Sequence, residues 1–100
     1  MGICEGRTVI ITGAARGLGR AYALAFGAEG ANVVVNDIGT SLSGEGRDTS
    51  AADGVVAEIK AAGGQAVANY EDITDWDAAG RIVQCALDAF GDLHVVVNNA

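Results

Sequence analysis

The sequence predicts an α/β protein in which helices cover both faces of a parallel sheet. Short runs of apolar residues alternate along the chain with segments whose apolar residues recur at helical spacing. The apolar runs are continuous, as is typical of parallel strands buried on both faces. A glycine-rich turn joins the first run to the first helical segment. Strand–helix alternation of this kind favours parallel pairing through right-handed crossovers.

The first half of the chain contains two predicted strands and one predicted helix. Residues 9–11 and 33–35 are the two apolar runs, and Gly30 marks the end of the helix between them. From residue 38 to 50 the composition changes to Gly, Ser, Thr and charged residues, which predicts a long surface loop. The helix itself is predicted from apolar residues at helical spacing, namely Leu18, Ala21, Tyr22, Ala25 and Phe26.

The second half of the chain repeats the same alternation. A helix is predicted from Ser50 to the glycines at 63–64, and a short strand is predicted over 66–70. Thr74 and Asp75 are the predicted caps of a third helix, which ends before Gly91 and over whose start Trp76 is expected to pack. Its predicted apolar face comprises Ala79, Ile82, Val83, Ala86, Leu87 and Phe90.

The fourth predicted strand begins at His94 and continues through Val95, Val96 and Val97, with no functional role expected for His94. No proline interrupts any predicted element. The whole pattern predicts a Rossmann-type doubly wound parallel sheet, represented by its N-terminal half with strand order 3-2-1-4. Because an apolar fourth strand needs a partner for its edge, we expect residues 1–100 to be the N-terminal part of a longer single-domain fold.

The charge balance excludes two classes of partner. Thirteen acidic residues against six basic ones give a net charge of −7. Nucleic acids and anionic membranes attract a positive surface, so neither is an expected partner. No apolar run approaches the roughly 18 residues that a membrane span requires, and the N-terminus lacks a secretory-signal pattern. The predicted location is the cytoplasm, and the predicted ligands are small molecules.

The cysteines and the aspartate cluster indicate no metal site. Cys4 and Cys85 are far apart and are predicted to be reduced thiols that act as small hydrophobes. Asp72, Asp75 and Asp77 lack the spacing of a calcium loop. For Asp75 and Asp77 we expect stabilisation of a helix N-terminus instead.

The glycine turn that follows the first strand carries the main functional signal. Gly13, Gly17 and Gly19 stand in the sequence Thr-Gly-Ala-Ala-Arg-Gly-Leu-Gly, directly before the first helix. A pyrophosphate requires close backbone approach, N–H donors and the positive end of a helix dipole. Glycine permits the tight turn and carries no Cβ to block the ligand. Since the chain has 15 glycines, an ordinary strand-to-helix turn is the competing interpretation.

Asp37, at the end of the second strand, favours the dinucleotide interpretation. An acidic residue at this separation from a glycine turn can accept hydrogen bonds from the adenosine ribose. The same carboxylate would repel the 2′-phosphate of NADP by about 4 kcal/mol, for a separation of about 4 Å and an effective dielectric constant of about 20. Arg16 in the turn could instead reach a phosphate. We therefore expect NAD as the cofactor in preference to NADP.

Two motifs resemble those of the short-chain dehydrogenase/reductases. The spacing Thr-Gly-x-x-x-Gly-x-Gly begins at Thr12, and Asn-Asn-Ala follows the fourth strand at residues 98–100. Within this family, the segments 35–39 and 51–53 are similar to the hydroxyacyl-CoA dehydrogenase domains of type 2 peroxisomal multifunctional enzymes and their bacterial relatives. The resemblance covers the whole chain.

The resemblance implies cofactor contacts in several places. Asp37 would bind the adenosine ribose, and Asp72 and Ile73 would lie against the adenine. Asn98 and Asn99 would approach the adenosine, and as structural amides at a buried strand end they would also tie the central sheet together. Around the pyrophosphate and the neighbouring ribose, the resemblance implies Gly13, Arg16, Gly17, Leu18 and Gly19.

The resemblance also implies an activity whose catalytic residues are not among these 100. The family uses a Tyr with a Lys four positions later, whereas Tyr22 and Tyr70 are followed at that spacing by Phe and Thr. The expected function is hydride transfer between nicotinamide and an alcohol or ketone, with a 3-hydroxyacyl thioester as a particular case, in a protein that forms dimers or tetramers. A non-catalytic nucleotide-binding module is the alternative, and an S-adenosylmethionine-dependent transferase would carry a different glycine spacing.

Overall fold

A computed structural model describes residues 5–37, 50–72 and 75–99. Strands and helices alternate along the chain, as the sequence predicts. The elements are β1 (Thr8–Ile11), α1 (Gly17–Ala28), β2 (Asn32–Asn36), α2 (Ser50–Ala61), β3 (Gln65–Asn69), α3 (Trp76–Phe90) and β4 (Val95–Val97).

The four strands form one parallel sheet in the order β3-β2-β1-β4. Ile10 of β1 lies between Val34 of β2 and Val96 of β4, and Val34 is in register with Val67 of β3. This confirms the predicted strand order. Because all four strands run in the same direction, their carboxyl ends meet at one edge of the sheet, which we call the carboxyl edge.

The sheet is covered by helices on both faces. On one face, α1 and α2 pack over a cluster that includes Val9, Val35 and Ile59. On the other face, α3 packs over Ile10 and Val34, to which it contributes Ile82. All four residues of β1 are buried, as are Val33 to Asn36 of β2. The continuous apolar runs thus correspond to strands covered on both sides, as predicted.

Helices α1 and α2 pack closely because a glycine lies between them. A Cβ on Gly27 would be 2.9 Å from Ile59 Cγ2, a separation that real Cβ atoms essentially never show. Ile59 is itself only 2% exposed, so it has little room to move away. At the helix surface, Arg20 Nη2 lies 2.8 Å and 2.7 Å from the two carboxylate oxygens of Glu58. This exposed ion pair adds a second link between the helices.

Helix α3 begins and ends at the predicted residues, but fewer residues of its predicted apolar face are buried than the sequence predicts. Asp75 caps it by accepting a hydrogen bond from Asp77 N (3.0 Å), and Gly91 ends it in the left-handed conformation. Ala78, Ile82 and Ala86 are buried, whereas Val83 and Leu87 are each 40% exposed. The prediction that Trp76 packs over the helix start is wrong, because this side chain is 89% exposed. Thr74, the other predicted cap, lies outside the described residues.

Strand β4 differs from the other strands of the sheet. Val95 and Val96 point to opposite faces and are 39% and 55% exposed, so burial on both faces is wrong for β4. His94, for which no role was expected, joins this strand to β1. Its Nδ1 accepts a hydrogen bond from Thr8 N (2.9 Å), and its backbone N–H donates to Thr8 O (3.0 Å). His94 therefore extends the β1–β4 pairing by one residue.

We expect Gly27→Ala to destabilise the chain by about 1–3 kcal/mol, because the added methyl group overlaps the buried Ile59. Gly80→Ala is the matched control, since a Cβ on Gly80 of α3 meets nothing within 4 Å. That variant should gain about 0.5–1 kcal/mol from the lower backbone entropy of the unfolded chain. Urea unfolding of both variants checks this, and equal effects would contradict the close packing of α1 on α2.

Candidate dinucleotide-binding site

The glycine turn lies at the carboxyl edge, between the end of β1 and the start of α1. Gly13 and Gly17 have φ angles of 62° and 59°, which L-residues with a side chain rarely adopt. A Cβ on Gly17 would meet nothing within 4 Å, so the turn is open above this residue. Arg16 precedes α1 without a side-chain cap, and the first turn of α1 contains no acidic residue. The N–H groups that begin α1 are therefore arranged as in an anion-binding helix N-terminus.

Gly19 allows the first turn of α1 to lie against the strand ends. A Cβ at this position would be 2.1 Å from Gly13 O and 2.6 Å from Asn99 Nδ2. The Asn99 amide in turn lies 3.4 Å from Gly13 O, to which it donates. No other residue type fits this position without movement of the backbone, which confirms that the third glycine brings the helix close to the sheet.

Thr12 connects the end of β1 to the end of β4. Its N–H donates to Val97 O (3.1 Å), and its Oγ1 accepts a hydrogen bond from Asn99 N (3.0 Å). The hydroxyl lies 3.3 Å from Val97 O and 3.5 Å from Asn98 Oδ1, either of which can accept its proton. Thr12 is 5% exposed. Thr12 begins the glycine motif in the sequence, but no partner was predicted for its hydroxyl, although a threonine that ends an apolar strand is the available signal.

Asp37 connects the end of β2 to the glycine turn. Its Oδ2 accepts a hydrogen bond from Ala15 N (3.3 Å), and the preceding Asn36 O accepts one from Ala14 N (2.9 Å). On the other side, Asp37 N donates to Asn69 O of β3 (3.0 Å). The half-buried carboxylate is therefore fixed beside the turn, as its predicted place at the ribose requires.

Asn36 is a second residue that the sequence analysis missed. This side chain is 1% exposed, and its Nδ2 donates to Asn69 Oδ1 (2.9 Å) and Glu71 O (3.1 Å). Asn69 Oδ1 also accepts from Glu71 N (3.0 Å). These bonds determine the path of the chain as it leaves β3. An asparagine at the end of a run of valines was the available signal.

Glu71 also forms an ion pair with Arg81 of α3. The Nε and Nη2 atoms of Arg81 lie 2.9 Å and 3.1 Å from the two carboxylate oxygens of Glu71. The hydrogen bond to Glu71 raises the pKa of the exposed Arg81 guanidinium, which is charged at any physiological pH. The pair links the exit of β3 to α3.

The predicted site residues gather at the carboxyl edge. Gly13, Gly17 and Gly19 form the turn with Asn99 beside it, and Asp37 lies at its flank. Arg16 and Leu18 are exposed on the turn, Asn98 is exposed beside Thr12, and Asp72 is half-buried after β3. Ile73 lies outside the described residues. The site therefore has backbone N–H donors at the end of β1 and the Asp37 carboxylate at the end of β2.

Neither a metal-binding cluster nor a membrane-spanning helix is found among residues 5–37, 50–72 and 75–99. No group of three His, Cys, Asp or Glu side chains is placed to hold a metal ion. In the same part of the chain, no helix combines the length and apolar character needed to cross a membrane.

Comparison with known proteins identifies the family. Residues 7–100 match the family model for short chain dehydrogenases. The chain belongs to this family, the short-chain dehydrogenases/reductases. This confirms the resemblance inferred from the glycine turn and the Asn-Asn-Ala motif, and it agrees with the Rossmann-type fold.

Particular relatives are similar over nearly the whole chain. The chain is 56% identical over 96 residues to peroxisomal multifunctional enzyme type 2 of Mus musculus, which covers 96% of this chain and 13% of that protein. A short chain dehydrogenase from Mycobacterium avium has 57% identity and a TM-score of 0.90, over 100% of this chain and 35% of that one. A short chain dehydrogenase from Mycobacterium paratuberculosis, solved bound to NAD, has 36% identity and a TM-score of 0.87, over 99% and 38%. The chain thus spans about a third or less of the length of these relatives.

We expect Thr12→Val to destabilise the fold by about 1–3 kcal/mol, because Asn99 N loses its acceptor and Val97 O loses a donor in a part-buried site. Thr12→Ser keeps the hydroxyl and removes one methyl group, which costs about 0.8 kcal/mol. Denaturant unfolding of the two variants measures the difference. If serine is as destabilising as valine, the hydroxyl does not hold the two strand ends together.

Proposed function

We propose that the carboxyl edge binds NAD, with the pyrophosphate at the N-terminus of α1 and the adenosine ribose at Asp37. The observation that carries the proposal is the hydrogen bond from Ala15 N to Asp37 Oδ2. It places a carboxylate next to a row of backbone donors. A dinucleotide is complementary to this pair of groups. Its anionic phosphates accept hydrogen bonds from backbone N–H groups, and the hydroxyls of the adjoining ribose donate to a carboxylate.

Each predicted site residue has a place in this proposal. Asp72 and Ile73 would lie against the adenine. Asn98 and Asn99 would approach the adenosine, and Asn99 also supports Gly13. Around the pyrophosphate, backbone N–H groups would be the donors and Arg16 would add a positive charge. The residues proposed for that part are Gly13, Arg16, Gly17, Leu18 and Gly19.

We propose NAD in preference to NADP on electrostatic grounds. The Asp37 carboxylate is held in place by Ala15 N, so it cannot turn far from a 2′-phosphate. Arg16, the arginine of the glycine turn, follows Ala15 and is exposed to solvent. A fixed carboxylate outweighs a solvated guanidinium, whose interactions are weakened by water and salt.

The proposed reaction is hydride transfer between nicotinamide and an alcohol or ketone. The nicotinamide supplies the hydride chemistry when the cofactor is bound. The residues of this chain bind and orient the adenosine and pyrophosphate parts. A 3-hydroxyacyl thioester is the particular substrate that we propose, because segments 35–39 and 51–53 resemble hydroxyacyl-CoA dehydrogenase domains. We place the proton-transferring tyrosine outside these 100 residues, because neither Tyr22 nor Tyr70 has a lysine four positions later.

Assembly and location are further parts of the proposal. The exposure of Val95 and Val96 on β4 supports association or further packing at this side of the sheet. We propose a dimer or tetramer for the whole protein.

For the location of the protein we propose the cytoplasm. The alternative is the peroxisome, which the name of the mouse relative mentions, and fluorescence imaging of the tagged protein would distinguish the two.

We expect the chain to bind NADH at least about tenfold more tightly than NADPH, and Asp37→Asn to reduce that preference by about tenfold or more. Asparagine keeps an oxygen that can accept from Ala15 N but removes the charge. Titration followed by nicotinamide fluorescence measures both affinities. Asp88→Asn, on the opposite face of the sheet, makes the same change in net charge and should leave the preference unchanged.

Absence of binding to either nucleotide would overturn the proposal. A preference of unchanged size in Asp37→Asn would overturn the role of Asp37 while leaving the nucleotide site in place.

A further inference from the structure

Tyr70 lies beside Asp37 at the carboxyl edge. Asn36 of β2 is in register with Asn69 of β3, and the bond from Asp37 N to Asn69 O belongs to this pair, so Asp37 and Tyr70 each directly follow a paired residue. Successive residues of a strand point to opposite faces. Asp37 follows the inward-facing Val33 and Val35, and Tyr70 packs against the same cluster as they do. The two side chains are therefore neighbours on the face covered by α1 and α2.

Tyr70 in turn holds a second carboxylate. Its Oη donates a hydrogen bond to Oδ1 of Asp53, which belongs to the first turn of α2. This bond raises the pKa of the Tyr70 phenol, with burial as a smaller cause, and the protonated phenol is the donor of the bond. Because α2 runs back along the sheet from the carboxyl edge, its first turn lies at that edge. Asp53 is therefore fixed on the same side as Asp37.

The proposed cofactor points toward this pair. The pyrophosphate site is above β1, and the ribose site is at the end of β2. Across the sheet from β1 to β2, the next strand is β3, which Tyr70 follows, and the first turn of α2 lies against Tyr70. A ribose held by Asp37 would therefore lie on the face of the sheet that carries Tyr70 and its partner Asp53. The ring of Tyr70 supplies an apolar wall on that side, and Asp53 supplies a negative charge.

We propose that Asp53, positioned by Tyr70, is a second determinant of the preference for NAD over NADP. The inference rests on the proposed nucleotide site. It assigns to the first turn of α2 the exclusion of a 2′-phosphate by like charge, in addition to the repulsion by Asp37. Tyr70 acts as a positioning residue, because its hydroxyl holds the Asp53 carboxylate in place. Its ring forms the apolar wall on the same side.

The test measures NADH and NADPH affinities for the wild-type chain and for Asp53→Asn. We expect the ratio to shift toward NADPH on the order of fivefold, a small factor because Asp53 is exposed and screened. The shift should shrink between about 0.1 M and about 1 M salt, since the screening length falls from about 10 Å to about 3 Å. Asp88→Asn is the matched control, with the same change in net charge and no expected shift.

Tyr70→Phe tests the positioning role. It keeps the ring and the charge of Asp53 but removes the hydrogen bond, so its shift toward NADPH should be in the same direction and smaller. A second readout needs no cofactor. Ultraviolet titration of the phenols should show one group that titrates at lower pH in Asp53→Asn than in the wild-type chain, because a neutral amide replaces the charged acceptor that raises its pKa.

The failures of the two proposals differ. If the wild-type chain binds neither nucleotide, the proposed nucleotide site is overturned and this inference with it. If the chain prefers NADH but Asp53→Asn behaves like Asp88→Asn, the second determinant alone is overturned. An unchanged phenol titration in Asp53→Asn would overturn the positioning by Tyr70.

Discussion

The carboxyl end of β1 is held from both sides, and the shape of the site depends on this constraint. Beyond the last residue of a strand the ladder of sheet hydrogen bonds stops, so buried polar groups there need other partners. Thr12 supplies them toward β4, through Val97 O and Asn99 N. Asn36 and Asp37 supply them on the side of β2. These links hold together the strand ends against which the glycine turn is folded.

The glycine turn combines two demands that are satisfied by different glycines. Gly13 and Gly17 have positive φ angles, which send the chain sharply from the strand into the helix. Gly19 is helical, and its missing side chain lets α1 contact Gly13 O and Asn99. The first demand concerns backbone conformation and the second concerns space. Together they bring the N-terminus of α1 to the edge of the sheet, where its N–H groups face solvent and an approaching anion.

The electrostatics of the carboxyl edge follow from the same packing. Asp37 accepts from the turn, and Asp53 accepts from Tyr70, so two carboxylates are fixed instead of moving freely in solvent. A fixed charge keeps its distance from a ligand, whereas a mobile one relaxes away from repulsion. The donors of the turn and these acceptors occupy successive positions from β1 toward α2. The edge is therefore polarised along the direction in which a dinucleotide would extend.

Patterns within short windows were sufficient to predict the elements. The runs at residues 9–11 and 33–35 and the apolar period of α3 each carry their own signal, because burial on both faces or on one helical stripe requires it. The same reasoning overestimated burial where the neighbouring layer decides it. Trp76 is exposed at the start of α3, and Val96 is exposed on β4, since no described segment covers either one. Local periodicity indicates which face is apolar, but it contains no information about what packs on that face.

By itself the sequence determined the order of strands and helices, the parallel sheet, the glycine turn and the acidic residue that follows β2. These features depend on residue types at short separations, and the strand order follows from the Rossmann-type pattern that they form. Only the tertiary structure decided which side chains meet. Thr12 and Val97 are 85 positions apart, and Tyr70 and Asp53 are 17 apart across a helix and a strand. Such pairs exist because the sheet brings distant strand ends to one edge, and hydrogen bonding over about 3 Å depends on that three-dimensional placement alone.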